Sequence, residues 1–201
     1  MVQFFLEVVF TILQSKNTGL LSRYIPNPKE RKIVLFSMVI AVILILIGIL
    51  YVALSYQTLM MEETRHYKES FKQLGSISRI GFFAVIAIYP VFLLLKWKKI
   101  KEIHFGEIKL KSLLQFLAKW VRKWHVPVAF ISTAIALLHG YLAILRGFKL
   151  DFTYITGIVT TVILFYLMVM GLKRYKRMDK QWHLKLGIGF LILFMIHATF
   201  A

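Results

Sequence analysis

The sequence predicts an all-α integral membrane protein, a five-span helical bundle with an N-terminal interfacial helix. Three observations carry this reading. Hydrophobic residues make up 59% of the chain, and the excess over the roughly one-half usual in soluble domains is gathered into long runs. One run, Ile33 to Leu54, has 22 positions without a charge. A bilayer core of about 30 Å needs about 20 apolar residues at about 1.5 Å rise each. The basic residues, finally, fall in alternate connections between the runs.

The elements follow in order. Residues 1–28 form an amphipathic, interfacial segment. Its apolar stretch, Phe4–Leu13, is interrupted by Glu7 and closely followed by Lys16. It is too short to span and lacks a small-residue cleavage site, so Met1–Leu21 reads as a helix lying in the interface. A sixth span, or an uncleaved signal-like segment, is the alternative. Residues 29–201 hold the spans, at about 33–56, 79–96, 122–145, 152–173 and 182–201. The second and fifth have short apolar cores, which Arg79, Lys96 and Lys185 can complete by snorkelling. Pro90 suggests a kink in the second span. Pro127 either marks the first turn of the third or kinks it.

The formal charge is +17, from 26 Lys and Arg against 9 Asp and Glu. In a soluble protein that balance would suggest nucleic acid; here basic loops orient a membrane protein, and no nucleic-acid partner is expected. The stretch up to Lys32 has five basic residues, Lys96–Lys123 nine and Lys173–Lys185 six. Gln57–Arg79 and Arg146–Asp151 share six, offset by Glu62, Glu63, Glu69 and Asp151. Five spans place the basic segments together, giving a cytoplasmic N-terminus and an extracytoplasmic C-terminus in the cell membrane. Glu107–Val121 reads as an amphipathic helix on the cytoplasmic surface, with Ile108, Leu113, Leu117 and Trp120 on one stripe. Its lysines face water and lipid headgroups, with docking of a soluble electron donor as a second use.

There is no cysteine. That removes disulfides, thiolate zinc sites, iron–sulfur clusters and covalently attached haem, leaving histidine as the natural transition-metal ligand. Of the six histidines, His66 and His104 lie in connections and are given no role. The other four form two pairs, His125/His139 and His183/His197, each 14 residues apart. Fourteen helical residues advance about 21 Å and return to within about 40° of the same face. The third and fifth spans run in the same direction, so His125 is level with His183 and His139 with His197. Two facing helices would offer two bis-histidine sites, one per leaflet, suited to two haem b groups. Histidines that hydrogen-bond across a bundle are the plainer reading of any one of them; two matched pairs in parallel spans favour ligation.

The surroundings repeat as well. Trp124-His125 and Trp182-His183 share a dipeptide, Ala129 corresponds to Gly187, and Gly140 to Ala198. Small residues there allow a flat macrocycle close to the backbone. Haem propionates need cations: Arg79, Arg146 and Lys149 are candidates at the outer level, and Arg122, Lys123 and Lys185 at the inner. Trp124 and Trp182 are candidate haem-packing residues. Zinc or manganese transport would want clustered carboxylates and histidines, and a proton-coupled carrier an acid inside a span. The spans as drawn contain none.

The pattern His125-x-x-x-Ala129 … His139 and His183-x-x-x-Gly187 … His197 resembles the ferric reductase-like transmembrane domain family. That family includes membrane ferric reductases, NADPH oxidases and the haem subunit of the bacterial methionine sulfoxide reductase system. Arg79-Ile80-Gly81 resembles an Arg-x-Gly feature of its second span. The resemblance covers about Ile33 to Ala201 and implies two haems held by the third and fifth helices. The larger relatives continue into a flavin- and nicotinamide-binding domain; this sequence has no G-x-G-x-x-G, and that activity is not carried over. The expectation is a transmembrane cytochrome. Electrons would come from a cytosolic flavoprotein or membrane quinol and leave to an extracytoplasmic acceptor: ferric iron, flavin, oxygen or a partner reductase. The outer connection Gln57–Arg79, with Glu62, Glu63 and Glu69, is the longest candidate docking surface, a solvated loop being its plainer reading. A haem-bearing anchor subunit of a separate oxidoreductase is the main alternative, and a haem-free transporter a lesser one.

Overall fold

The computed structural model describes residues 20–57, 59, 64–101, 103–105 and 108–200. The expected interfacial helix falls almost wholly outside them, as do Glu62, Glu63 and Glu107. The described elements are α1 (Leu20–Tyr24), α2 (Pro28–Leu54), α3 (Thr64–Ile86), α4 (Ile88–Lys96), a 3₁₀ turn (Lys98–Lys101), strands β1 (His104–Phe105) and β2 (Ile108–Lys109), α5 (Leu110–Leu145), α6 (Phe152–Arg174) and α7 (Trp182–Phe200). Among the described residues, five helices are long and apolar enough to cross a membrane: Pro28–Leu54, Arg65–Lys96, Leu110–Leu145, Phe152–Arg174 and Trp182–Phe200. The chain forms two compact units, residues 40–142 and residues 1–39 with 143–201.

Local chemistry sets several helix ends. Asn27 caps α2 by accepting the Lys29 N–H at 3.0 Å, and Pro28 occupies the first helical position, where its missing N–H is harmless. Asp151 caps α6 through the Tyr154 N–H at 2.9 Å. Between α5 and α6 the chain turns through Gly147 at φ 121°, a conformation that glycine adopts without a Cβ clash. The Tyr154 hydroxyl, 2.9 Å from the Ala143 carbonyl and 3.0 Å from that of Gly147, pins this turn.

Two expected boundaries move. The second span was expected from residue 79, but α3 begins at Thr64. Its first four turns are apolar on one face only, so hydropathy averaged around the helix conceals them. Arg79 is therefore not the opening of a span but a mid-helix residue. Most of the expected outer docking loop is helix. Glu69, too, lies within a helix of spanning length, where no acid was expected; its Oε1 accepts from Arg65 Nε at 2.9 Å.

The second change concerns α5. The expected surface helix and third span are one rod, Leu110–Leu145, with Pro127 inside it. At 36 residues it is about 54 Å long, well beyond a bilayer core of about 30 Å. Phe116, Trp120 and Trp124 line one exposed side at four-residue intervals, with ring centroids 6.5 and 6.3 Å apart. β1 and β2, in the connection before it, form a short antiparallel ladder.

Within residues 40–142, α2, α3 and α5 approach closely at glycines. A Cβ on Gly48 would meet Leu138 Cδ1 at 2.5 Å, and one on Gly81 would collide with the buried Ser132 hydroxyl. Gly81 is the glycine of the Arg-x-Gly feature, and its use here is helix–helix approach. Around a Cβ built on Gly140 nothing lies within 4 Å. Gly81→Ala should therefore lower stability by about 1–3 kcal/mol through overpacking. Gly140→Ala should be neutral or raise it by up to about 1 kcal/mol through helix propensity. Thermal unfolding in detergent compares the two variants directly.

Candidate histidine centre repeated in two helix pairs

In residues 40–142, α3 runs antiparallel to α5. His139 Nδ1 lies 3.0 Å from the Phe71 carbonyl oxygen, and His125 Nδ1 lies 3.1 Å from that of Val85. In the other unit, α6 runs antiparallel to α7. There His183 Nδ1 lies 3.1 Å from the Leu167 carbonyl, and His197 Nδ1 lies 3.1 Å from that of Thr153. Phe71 and Val85 are 14 residues apart, as are Thr153 and Leu167. The spacing of each histidine pair is thus matched by its acceptors on the neighbouring helix.

A carbonyl only accepts hydrogen bonds, so each Nδ1 carries the proton and donates it. In a neutral imidazole this puts the lone pair on Nε2. Metal-ligating histidines are held in this way, with the outer ring nitrogen donating to a carbonyl or carboxylate that fixes the tautomer and ring orientation. All four histidines are half-buried.

Glycine makes the approach to the carbonyl possible. On a helix, the side chain four residues on lies over a given carbonyl. At that position Phe71 has Gly75, Thr153 has Gly157 and Leu167 has Gly171. A Cβ on Gly75 would stand 3.0 Å from His139 Cε1, one on Gly157 3.0 Å from His197 Cε1, and one on Gly171 3.3 Å from His183 Cε1. The fourth acceptor, Val85, is followed by Tyr89 instead. It lies at the end of α3, where Pro90 has no N–H for the Ile86 carbonyl and the helix is interrupted at Ala87.

Neighbouring contacts brace the His139 and His197 ends. Phe71 stacks on the His139 ring at 4.0 Å between centroids and on Tyr67 at 5.7 Å. The Tyr67 hydroxyl donates to the Leu142 carbonyl at 3.3 Å, three residues beyond His139. In the other pair, Thr153 Oγ1 donates to the Phe200 carbonyl at 3.3 Å, three residues beyond His197, and Thr156 Oγ1 lies 3.4 Å from His197 Nδ1.

The other expected site residues divide by helical phase. Arg146 directly follows the last residue of α5, while Arg122 is about 60° around from His125. Lys123 is turned about 160° from His125, and Lys185 about 160° from His183. Lys185 instead places Nζ 5.2 Å over the Trp182 ring, a cation–π contact. Neither lysine converges with its histidine. Trp124 and Trp182 each stand about 100° around from the adjacent histidine and are about half exposed. Lys149 lies in the exposed connection after α5, and Arg79 is on the exposed side of α3. The small residues expected to admit a macrocycle have separate surroundings: Gly140 faces open space, and a Cβ on Gly187 would make an ordinary 3.9 Å contact with Leu167. Among the described residues, no three His, Asp or Glu side chains converge as a metal-binding group.

Comparison with protein-family models, curated proteins and solved structures finds no match to this chain.

In ¹⁵N-histidine spectra of the haem-free protein, His125, His139, His183 and His197 should all report the Nδ1–H tautomer at neutral pH. Gly157→Val should disturb His197 alone. It should lower stability by about 1 kcal/mol, the worth of one hydrogen bond. An unchanged His197 signal would show that the glycine does not seat the ring.

Proposed function

We propose that the protein is a multi-pass membrane cytochrome that carries electrons between two b-type haems. The reading rests on one observation above all: four imidazoles with Nδ1–H bonded to a helix carbonyl, at 14-residue spacing on both partners of each helix pair. That donor set suits haem iron, because a bis-histidine site needs two neutral imidazoles with Nε2 lone pairs and no third protein ligand. The pairing of His125 with His183, and of His139 with His197, comes from the span count and charge alternation. So does the orientation, with the N-terminus cytoplasmic and the C-terminus extracytoplasmic in the cell membrane.

Bound haem would supply one-electron chemistry at the iron. The chain's own residues have narrower tasks. The carbonyls of Phe71, Val85, Thr153 and Leu167 hold the tautomer, and Gly75, Gly157 and Gly171 seat three of the rings. Apolar helix faces keep water away from the ligands. Arg122 lies in the best helical phase to meet a propionate, and Arg146 is the base just past the end of α5. His125 with His183, and His139 with His197, would hold the two irons, and the haems would supply electron transfer without binding a substrate at the metal. The proposed donor is a cytosolic flavoprotein or membrane quinol, and the proposed acceptor is extracytoplasmic. Membrane lipid is the expected surrounding.

Purified protein should show a Soret band and two haems per chain by pyridine haemochrome analysis. Each of His125→Ala, His139→Ala, His183→Ala and His197→Ala should lose one haem equivalent. Retention of both haems by all four variants would sink the ligand assignment, and a wild-type chain unable to take up haem would sink the cytochrome reading.

A further inference from the structure

The His139 ring is held from more directions than a hydrogen bond alone supplies. The torsion that sets an imidazole plane is soft, with a broad two-fold profile. The bond from Nδ1–H to the Phe71 carbonyl, at 3.0 Å, decides where that nitrogen points. It leaves the ring free to swing about the N–H···O line. Contacts on the face and edge of the ring decide the rest.

Phe71 supplies the face. Its ring stands 4.0 Å from the His139 ring between centroids, with 26° between the planes. One residue therefore accepts from the imidazole through its backbone and sets the tilt of the imidazole through its side chain. Gly75 borders the edge, where a Cβ would stand 3.0 Å from His139 Cε1 and 3.3 Å from Nδ1. Phe71 is itself held. Tyr67, one turn earlier on α3, stacks on it at 5.7 Å with 13° between the planes. The Tyr67 hydroxyl donates to the Leu142 carbonyl at 3.3 Å, and both residues are buried. Leu142 is on α5, three residues past His139.

These contacts close a circuit, from α5 through His139, Phe71 and Tyr67 and back to α5. Turning the His139 ring displaces Phe71. Displacing Phe71 breaks its stack on a tyrosine whose far end is tied to the helix that carries the histidine. We propose that Phe71 and Tyr67 are positioning residues that fix the plane of the His139 imidazole, in addition to its tautomer. Packing alone would ask only for apolar volume at these two positions. The circuit uses a flat ring at 71, and at 67 a flat ring that ends in a hydroxyl. With iron on Nε2, the imidazole plane decides which of the metal's π orbitals the ring overlaps, so the brace would set the electronic character of one haem from outside its ligand set. That consequence rests on the cytochrome reading; the brace itself rests on the contacts.

The brace is tested in the full-length protein in detergent, free of haem and labelled with ¹³C,¹⁵N-histidine. His139 is assigned by its loss in His139→Ala. A ring proton held over an aromatic face is shifted upfield. Phe71→Leu should move the His139 ring protons downfield and leave those of His125 in place. Phe71→Tyr, which keeps the flat ring, should retain the wild-type positions. Tyr67→Phe keeps the stack and loses the anchor, and should shift the same signals downfield by less. Phe71→Met serves should Phe71→Leu not fold. His139 ring protons that stay in place when residue 71 is no longer aromatic would overturn the brace and leave Phe71 as packing. In the haem-loaded protein, Phe71→Leu should change the low-spin ferric EPR g-values of one haem of the two. It should also raise that haem's dissociation constant about tenfold, and Phe71→Tyr should restore both. Unchanged g-values would overturn the effect on the iron. A chain that takes up no haem yet shows the His139 shifts would remove the cytochrome reading and leave the brace standing.

Discussion

Every distinctive feature of the two helix pairs can be traced to one requirement: an imidazole N–H must reach a carbonyl that a neighbouring helix already uses. A helical carbonyl accepts from the amide four residues on, and its second lone pair is normally shielded by the side chain at that position. Removing that side chain opens the oxygen to a third party. Gly75, Gly157 and Gly171 do this for Phe71, Thr153 and Leu167. Equal 14-residue spacing on both partners keeps the two contacts of each antiparallel pair in register. The tight approach of α3 to α5 at Gly81 and Ser132 keeps the two backbones close enough for the imidazoles to span the gap.

The two pairs solve this problem with different side chains. At the His139 end the ring is covered by Phe71, which supplies both the acceptor carbonyl and a stacked aromatic face. At the His197 end the acceptor is Thr153, and the Thr156 hydroxyl lies 3.4 Å from Nδ1. One imidazole therefore sits against a π-face and the other beside polar oxygen. Such surroundings tune the basicity of each imidazole. The equal spacings describe a shared geometric demand, while the side chains give each site its own polarity.

The histidines were legible in the sequence because 14-residue spacing survives without any knowledge of neighbours. Their acceptors were not, because a backbone oxygen has no letter of its own. A trace was present: Gly157 and Gly171 repeat the 14-residue interval within the fourth span, and an interval shared by glycines of one span and histidines of the next indicates two helices in register. The start of α3 was hidden for a different reason. Arg65, Lys68, Glu69, Lys72 and Arg79 depress the average hydropathy of 64–79, although the apolar half of the same turns packs well. The reach of α5 was obscured by Pro127, which suggested a joint and instead lies inside an unbroken helix. The long apolar helices themselves were recovered wherever their hydropathy was even around the axis, as in α2 and α6.

Sharing a carbonyl between a helix and an imidazole also makes the oxygen a point of competition. A cation on Nε2 draws electron density from the ring and makes Nδ1–H a stronger donor. The carbonyl then commits more to the imidazole and less to the glycine amide of its own helix. At Gly75, Gly157 and Gly171 the local helical bond becomes a gauge of ring occupancy. Amide hydrogen exchange at these three glycines would register the state of the histidines through the backbone, without any change in where the helices stand.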